Sequence, residues 1–283
     1  MSKRIFLVVQ MLIAVAVLAS TVPAQNSRAA SSVSYRQRGD QWMGQGNSER
    51  AIEDYNLALV FDPNNADAYN NRGAARYDRG DYAGAVADYS LALRINPRSA
   101  DALYNRGLAR KAVGDLDGAI ADFDQALALK PKLIGAFNNR GVARGAKRDF
   151  DGALADCNQA IKLNPHLAEA FNNRGNVRLA MRDFAEAIAD YNRAIKLNPN
   201  YAAAYVNRGL ARKNRDDFAG ALADYNRAIV LNPDFLEAYL QRGLLNLSRG
   251  REAESRRDFD QCMNLNPDAK RLIDERVRKV EQK

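Results

Sequence analysis

Seven glycines, Gly39, Gly73, Gly107, Gly141, Gly175, Gly209 and Gly243, stand 34 residues apart. A fixed period of this length constrains the chain more than its composition does. Each period must be one supersecondary unit that buries its apolar face against copies of itself. With the glycine as position 8, seven repeats run 32–65, 66–99, 100–133, 134–167, 168–201, 202–235 and 236–269. Position 32 is proline in every repeat: Pro63, Pro97, Pro131, Pro165, Pro199, Pro233 and Pro267. The remaining proline, Pro23, lies outside the array. Position 20 is alanine except for Ser255, position 27 is alanine except for Cys262, and position 24 is aromatic except for Cys157.

Within a repeat the apolar and small residues recur at spacings of three and four, which is helical. Two amphipathic helices are expected, roughly at positions 2–14 and 18–31. The turn between them reads GDY at 80–82, GDL at 114–116 and RDF at 148–150. Aspartate at position 16 suits the N-cap of the second helix, because its carboxylate accepts free backbone N–H groups. Glycine at position 15 suits a left-handed residue that ends the first helix. Arg148, Arg182 and Asp216 take that place in three repeats, so strain is expected there. The proline at position 32 ends the second helix and holds the preceding residue out of the helical region. Small residues at positions 8, 20 and 27 let helices approach, with the ring at position 24 filling the space around them.

These residues together resemble the tetratricopeptide repeat (TPR). Two departures stand out: position 7 is arginine in all seven repeats, and position 11 is arginine in five, Arg76, Arg110, Arg144, Arg178 and Arg212. The resemblance implies an all-α fold. It would be a right-handed α-solenoid of seven helix-turn-helix repeats whose concave face is lined by first helices. Residues 270–283 are helical in pattern and heavily charged, as expected of a capping helix that solvates the open end of such an array.

The first 24 residues carry Lys3 and Arg4 before an apolar run, then Val22-Pro23-Ala24 ahead of Gln25. This is the pattern of a secretory signal peptide. The apolar run is short for a membrane span, which takes about 20 residues. Residues 25–31 read as a flexible spacer. The expected location is exported, periplasmic or secreted, with a membrane tether only if the N-terminal segment is not cleaved. Cys157 and Cys262 sit at core positions three repeats apart and read as buried small hydrophobes.

The formal charge is +8, or +6 without Lys3 and Arg4. A basic balance raises the question of nucleic acid. Much of the excess lies at positions 7 and 11, however, and position 23 is aspartate throughout. Arg72, Arg106, Arg140, Arg174 and Arg208, with Asp88, Asp122, Asp156, Asp190 and Asp224, are expected to form a structural Arg–Asp ladder. No nucleic-acid partner is expected.

Position 6 is asparagine in five repeats: Asn71, Asn105, Asn139, Asn173 and Asn207. Asparagine is a mediocre helix former, so five at one position need a reason. An amide carries a donor and an acceptor side by side and can pair with both groups of a peptide unit. A row of them could hold an extended polypeptide. This is similar to the asparagine ladder in the TPR superhelix of the O-linked N-acetylglucosamine transferases. Asn70, Asn138 and Asn172 at position 5 could add to it. The competing reading is that each asparagine bonds a neighbouring helix.

The residues show no metal-ligand spacing, phosphate-cradling loop or nucleophile elbow, and the sole histidine, His166, falls in a turn. The expectation is a non-enzymatic protein with no cofactor and no metal, whose partner is a protein or peptide. Two classes of function follow: an adaptor holding an extended segment against its asparagine row, or a scaffold that assembles through its outer face or ends.

Overall fold

A computed structural model of the protein describes residues 27–281, all of whose regular elements are α-helices. The signal-peptide segment 1–24 lies outside the described residues. The chain divides into two compact units at Leu133, which is also a repeat boundary. The first unit holds repeats one to three. It comprises α1 (27–44), α2 (Ser48–Phe61), α3 (Ala66–Asp78), α4 (Tyr82–Ile95), α5 (Ala100–Ala112) and α6 (Leu116–Leu129). The second unit holds repeats four to seven. It comprises α7 (Ile134–Ala146), α8 (Phe150–Leu163), α9 (Ala168–Ala180), α10 (Phe184–Leu197), α11 (Ala202–Lys213), α12 (Phe218–Leu231), α13 (Leu236–Ser248), α14 (Glu252–Leu265) and α15 (Ala269–Glu281). In each unit every helix packs on the next, and the first helices of successive repeats also touch. This is the stacking of an α-solenoid. The helices start about one residue earlier than the apolar spacing suggests.

One correction concerns the expected spacer. Residues 27–31 are helical and belong to α1. The helix is anchored at Ser32, which is buried and donates its hydroxyl to the Ala58 carbonyl at 2.8 Å while accepting from the Asn65 amide at 3.0 Å.

The turn inside each repeat is built by one residue acting twice. At position 16, the backbone N–H of Asp81 donates to the carbonyl of Arg76 at 2.9 Å, and so closes the end of α3. The Asp81 carboxylate then accepts from Gly84 N–H and opens α4. Asp115, Asp149 and Asp217 do the same for α6, α8 and α12. Asp183 closes α9 but makes no side-chain cap on α10. Its cap partner position holds Glu186 where those four helices have glycine, and a Cβ placed on any of those glycines would stand only 2.1–2.3 Å from the capping carboxylate oxygen.

The residue before this one takes a left-handed conformation. Gly46, Gly80, Gly114 and Gly250 have φ of 75°, 79°, 86° and 71°, and the three non-glycine residues Arg148, Arg182 and Asp216 are held at 66°, 66° and 61°. After each second helix the chain turns around the proline with an extended residue at position 31. In six repeats the Asn or Asp there accepts from the N–H two residues on, as in Asn96 with Arg98 at 3.3 Å.

The core explains the 34-residue period. A Cβ placed on Gly107 would lie 2.6 Å from the Phe123 ring, and one on Gly175 or Gly209 would lie 2.6 Å from the Tyr191 or Tyr225 ring. The ring at position 24 therefore lies directly on the glycine of its own repeat. Alanine at positions 20 and 27 is buried throughout. In repeat four, Cys157 replaces the ring, and a Cβ on Gly141 would meet its sulfur at 3.2 Å. At the far end α15 covers α13 and α14, with Ala269 and Ile273 buried against Leu240, Leu244 and Cys262.

Candidate functional site

The arginines and aspartates meet inside each repeat. Arg106 donates through Nε and Nη2 to the two oxygens of Asp122 at 2.9 and 2.7 Å. Arg110, one turn later, adds Nη1 at 2.9 Å. Arg72 with Asp88, Arg140 with Asp156, Arg174 with Asp190 and Arg208 with Asp224 repeat the bidentate geometry, each joined by the position-11 arginine. Repeat one pairs Arg38 with Asp54, and there the indole N–H of Trp42 stands in for the second arginine at 3.1 Å. The carboxylates are buried, with Asp122 at 0% exposure. A carboxylate at that depth is stable only when its lone pairs are filled, and three N–H groups fill them.

Successive repeats are linked by the same arginine rather than by a run of alternating charges. Nη1 of Arg72 reaches back to Asn56 at 2.6 Å, Arg174 to Asn158 at 2.7 Å, Arg208 to Asn192 at 2.6 Å and Arg106 to Ser90 at 3.2 Å. The guanidiniums of Arg72, Arg140, Arg174 and Arg208 also lie over the rings at position 4, 5.3–5.5 Å from their centroids. These groups are committed to the fold.

The asparagines form two short relays. In the second unit Asn207 donates to Asn172 at 3.0 Å, Asn172 to Asn173 at 3.4 Å, and Asn173 to Asn138 at 2.9 Å. In the first unit Asn105 donates to Asn70 at 3.3 Å, Asn70 to Asn71 at 3.1 Å, and Asn71 to Asp40 at 2.7 Å. In Asn105, Asn173 and Asn207, position 6 of one repeat donates to position 5 of the repeat before it, whereas Asn71 reaches Asp40 at position 9 because position 5 of repeat one is Arg36. This explains the Asn-Asn pairs at 70–71 and 172–173, a signal visible in the sequence whose meaning needed the packing. Asn139 turns back onto the Gly135 carbonyl at 2.9 Å.

The structure thus divides the eight asparagines. Asn172 is 4% exposed and holds its neighbours in place, so it supports the row rather than lining it. The other seven are half-buried. A relay member such as Asn173 uses one N–H and one lone pair on its neighbours and keeps one of each.

Beside Asn173 the surface opens into a pocket of ≈ 150 Å³ between α7 and α9. Val142, Gly145 and Ala146 of α7 form one wall, Val177 and Ala180 of α9 the other, and Phe150 closes the end. Asn173 and Asn176 are its polar groups. Asn176 accepts from the buried Tyr191 hydroxyl at 2.9 Å. The pocket exists because position 12 is glycine in this repeat alone, where the others carry Met43, Tyr77, Lys111, Leu179, Lys213 and Leu247.

Burial pushes the Cys157 thiol up to about 12 and the Cys262 thiol up to about 11, so both stay protonated at neutral pH. Among the described residues no group of His, Cys, Asp and Glu is placed to hold a metal ion, and no helix is long and apolar enough to cross a membrane.

Family models described as tetratricopeptide repeat match residues 100–133, 135–167, 168–201 and 207–280, and one described as TPR repeat matches 39–78 and 73–114. Together they span nearly the whole array. The chain is a tetratricopeptide-repeat protein. Solved structures of the same fold include a TPR protein from Parabacteroides merdae, with TM-score 0.76 and 19% identity, covering 89% of this chain and 99% of that one. PilF of Pseudomonas aeruginosa aligns with TM-score 0.62 and 20% identity over 77% of this chain and 96% of its own. YrrB, a TPR protein with an unusual peptide-binding site, aligns with TM-score 0.51 and 22% identity over 66% and 96%. No curated protein matches the sequence. Membership in the TPR family makes this chain a protein–protein interaction module of the adaptor or scaffold kind.

Proposed function

We propose that this TPR protein is a non-enzymatic adaptor that holds an extended polypeptide segment along the face formed by its first helices. The observation that carries the reading is the amide relay. Asn138, Asn173 and Asn207 in one unit, and Asn70, Asn71 and Asn105 in the other, are fixed in orientation by one another. A pre-oriented amide with a spare donor and acceptor can pair with a peptide unit without first losing rotamer freedom. The arginines are engaged in buried ion pairs, so the basic balance of the chain does not call for a nucleic-acid partner. YrrB, of the same fold, carries a peptide-binding site of its own. Packing of α15 over α13 and α14 disfavours open-ended stacking through the C-terminal end.

The test compares the chain lacking residues 1–24 with the same chain carrying Asn105→Ala, Asn173→Ala and Asn207→Ala, both checked for folding by circular dichroism. Asn105→Ala is expected to cost about 0.5–1.5 kcal/mol of stability, and Asn173→Ala and Asn207→Ala, which each take one partner from the buried Asn172 amide, about 1–3 kcal/mol, with the helices left intact. Capture of a partner by the unmodified chain and loss of that capture in the folded triple variant support the adaptor. Equal capture by both overturns it in favour of a scaffold. We further propose that the protein is exported through cleavage after Ala24. Mass spectrometry of the mature chain is expected to find Gln25 at its N-terminus, and an intact Met1 would instead favour a membrane tether.

A further inference from the structure

The pocket between α7 and α9 differs from the rest of this face in ways that specify an occupant. Its walls are aliphatic and aromatic, and no charged residue lines it. Its ≈ 150 Å³ matches a cavity that takes one benzene-sized apolar group. A whole helix or a fatty chain would not fit, whereas a single side chain would. The mouth then restricts what the side chain is attached to. The Asn176 oxygen is occupied by the Tyr191 hydroxyl, so this exposed residue offers its N–H groups outward. Asn173 keeps one N–H after donating to Asn138. Donors on the rim of an apolar pocket suit a peptide backbone, whose carbonyls flank each side chain.

Charge adds a further restriction. Arg148 and Arg182, in the turns next to the pocket, are exposed and have no carboxylate partner among the described residues. Arg148 lies 6.0 Å from the centroid of Phe150, at the end of the pocket. Asp149 in the same turn is engaged by Arg144 at 3.7 Å and by the N-cap of α8, which leaves Asp183 as the one unengaged acid in these two turns. The rim is therefore cationic.

We propose that this pocket seats one Leu- or Phe-sized side chain of an acidic, extended partner segment, with Asn173 and Asn176 donating to the carbonyls on either side of it. This rests on the adaptor reading and gives it a register: repeat four is where the segment is anchored.

A displayed library of random nine-residue segments provides the probe. The unmodified chain is expected to select segments with a single Phe or Leu flanked by Asp or Glu. Gly145→Leu fills the pocket. A Cβ at Gly145 meets Val177 at 3.5 Å and Ala153 at 3.8 Å, which is ordinary contact. Leucine already stands at the same position in repeats five and seven, as Leu179 and Leu247. The fold should therefore accept it, with Ala180→Leu on the opposite wall as a second variant. Both variants are expected to lose the apolar preference and to bind a selected segment at least tenfold more weakly. Selection of the same segments by the unmodified chain and both folded variants overturns the pocket while leaving the adaptor standing. Failure of the unmodified chain to select any segment overturns both.

Discussion

Tyr191 and Tyr225 occupy the same position in repeats five and six and are both fully buried. Each ring lies on the glycine of its own repeat with the same clearance, 2.6 Å to a Cβ placed on Gly175 or Gly209. Their hydroxyls differ. Tyr191 donates to Asn176 at 2.9 Å, whereas the Tyr225 hydroxyl is buried without a hydrogen-bond partner, because position 9 of that repeat is Leu210. Replacing each by phenylalanine keeps the ring and removes only the hydroxyl. Phe123 and Phe259 show that the array already accepts this residue here. Tyr191→Phe loses a net hydrogen bond, at about 0.5–1 kcal/mol, since the exposed Asn176 can turn to water. Tyr225→Phe removes an unsatisfied buried group and is expected to stabilise by about 1–2 kcal/mol. The two variants should thus lie about 2 kcal/mol apart, with opposite signs relative to the parent. In a domain of this size that is a separation of roughly 4–8 °C in Tm. Thermal and urea melts followed by far-ultraviolet circular dichroism measure it. Hydrogen exchange at α10 and α12 locates the change, because repeat arrays can open locally. If Tyr225→Phe destabilises as much as Tyr191→Phe, the hydroxyl of Tyr225 is satisfied in solution and the reasoning fails.

Four other outcomes follow. Asp122→Ala leaves Arg106 and Arg110 without their shared carboxylate and should cost about 3–5 kcal/mol in chemical denaturation. Asp216→Gly relieves a non-glycine residue held at φ 61°; the relief of about 1–2 kcal/mol exceeds the entropy that glycine adds to the unfolded chain, so the melting temperature should rise. Gly107→Ala forces a methyl to 2.6 Å from Phe123 and should destabilise by about 1–3 kcal/mol, while Gly141→Ala, facing the smaller Cys157 at 3.2 Å, should cost far less, as parallel urea melts would show. Stability should be flat from neutrality to about pH 9 and fall above it. The Cys157 and Cys262 thiols and the buried tyrosines titrate higher when folded than unfolded, so their contribution is complete below the unfolded value and is lost as pH rises toward about 12 for Cys157. Urea midpoints across the range check the sign.

Most of the fold could be read from periodic residues whose roles are local. Gly80 and Asp81 act within a few residues of themselves, and so do Pro97 and the turn around it. Their physics was therefore open to a single sequence. The strain expected at Arg148, Arg182 and Asp216 is visible as positive φ for the same reason. What could not be read depends on partners 12 to 35 residues away. Trp42 replaces an arginine in repeat one because its indole N–H reaches Asp54, and nothing in an indole announces that role. The relay joins Asn207 to Asn172 across 35 residues, so the spacing of asparagines showed a row without showing that its members bond one another. The pocket comes from an omission, Gly145, which reads as an ordinary small residue until Val142 and Val177 are seen around it. Residues 27–31 read as spacer because they precede the first repeat motif, yet the buried Ser32 ties the start of α1 to Ala58.

The position-7 arginine has a further implication for how such a chain can change length. Asn56 lies 16 residues before Arg72, and Asp88 lies 16 residues after it. Both partners fall inside a span slightly shorter than one period. A duplication or deletion of a whole 34-residue repeat, wherever its breakpoints fall, therefore restores one arginine with an acceptor behind and a carboxylate ahead. A shift of one or two residues inside a repeat instead strands a buried carboxylate. The arrangement favours growth and shrinkage in whole repeats and penalises every smaller step.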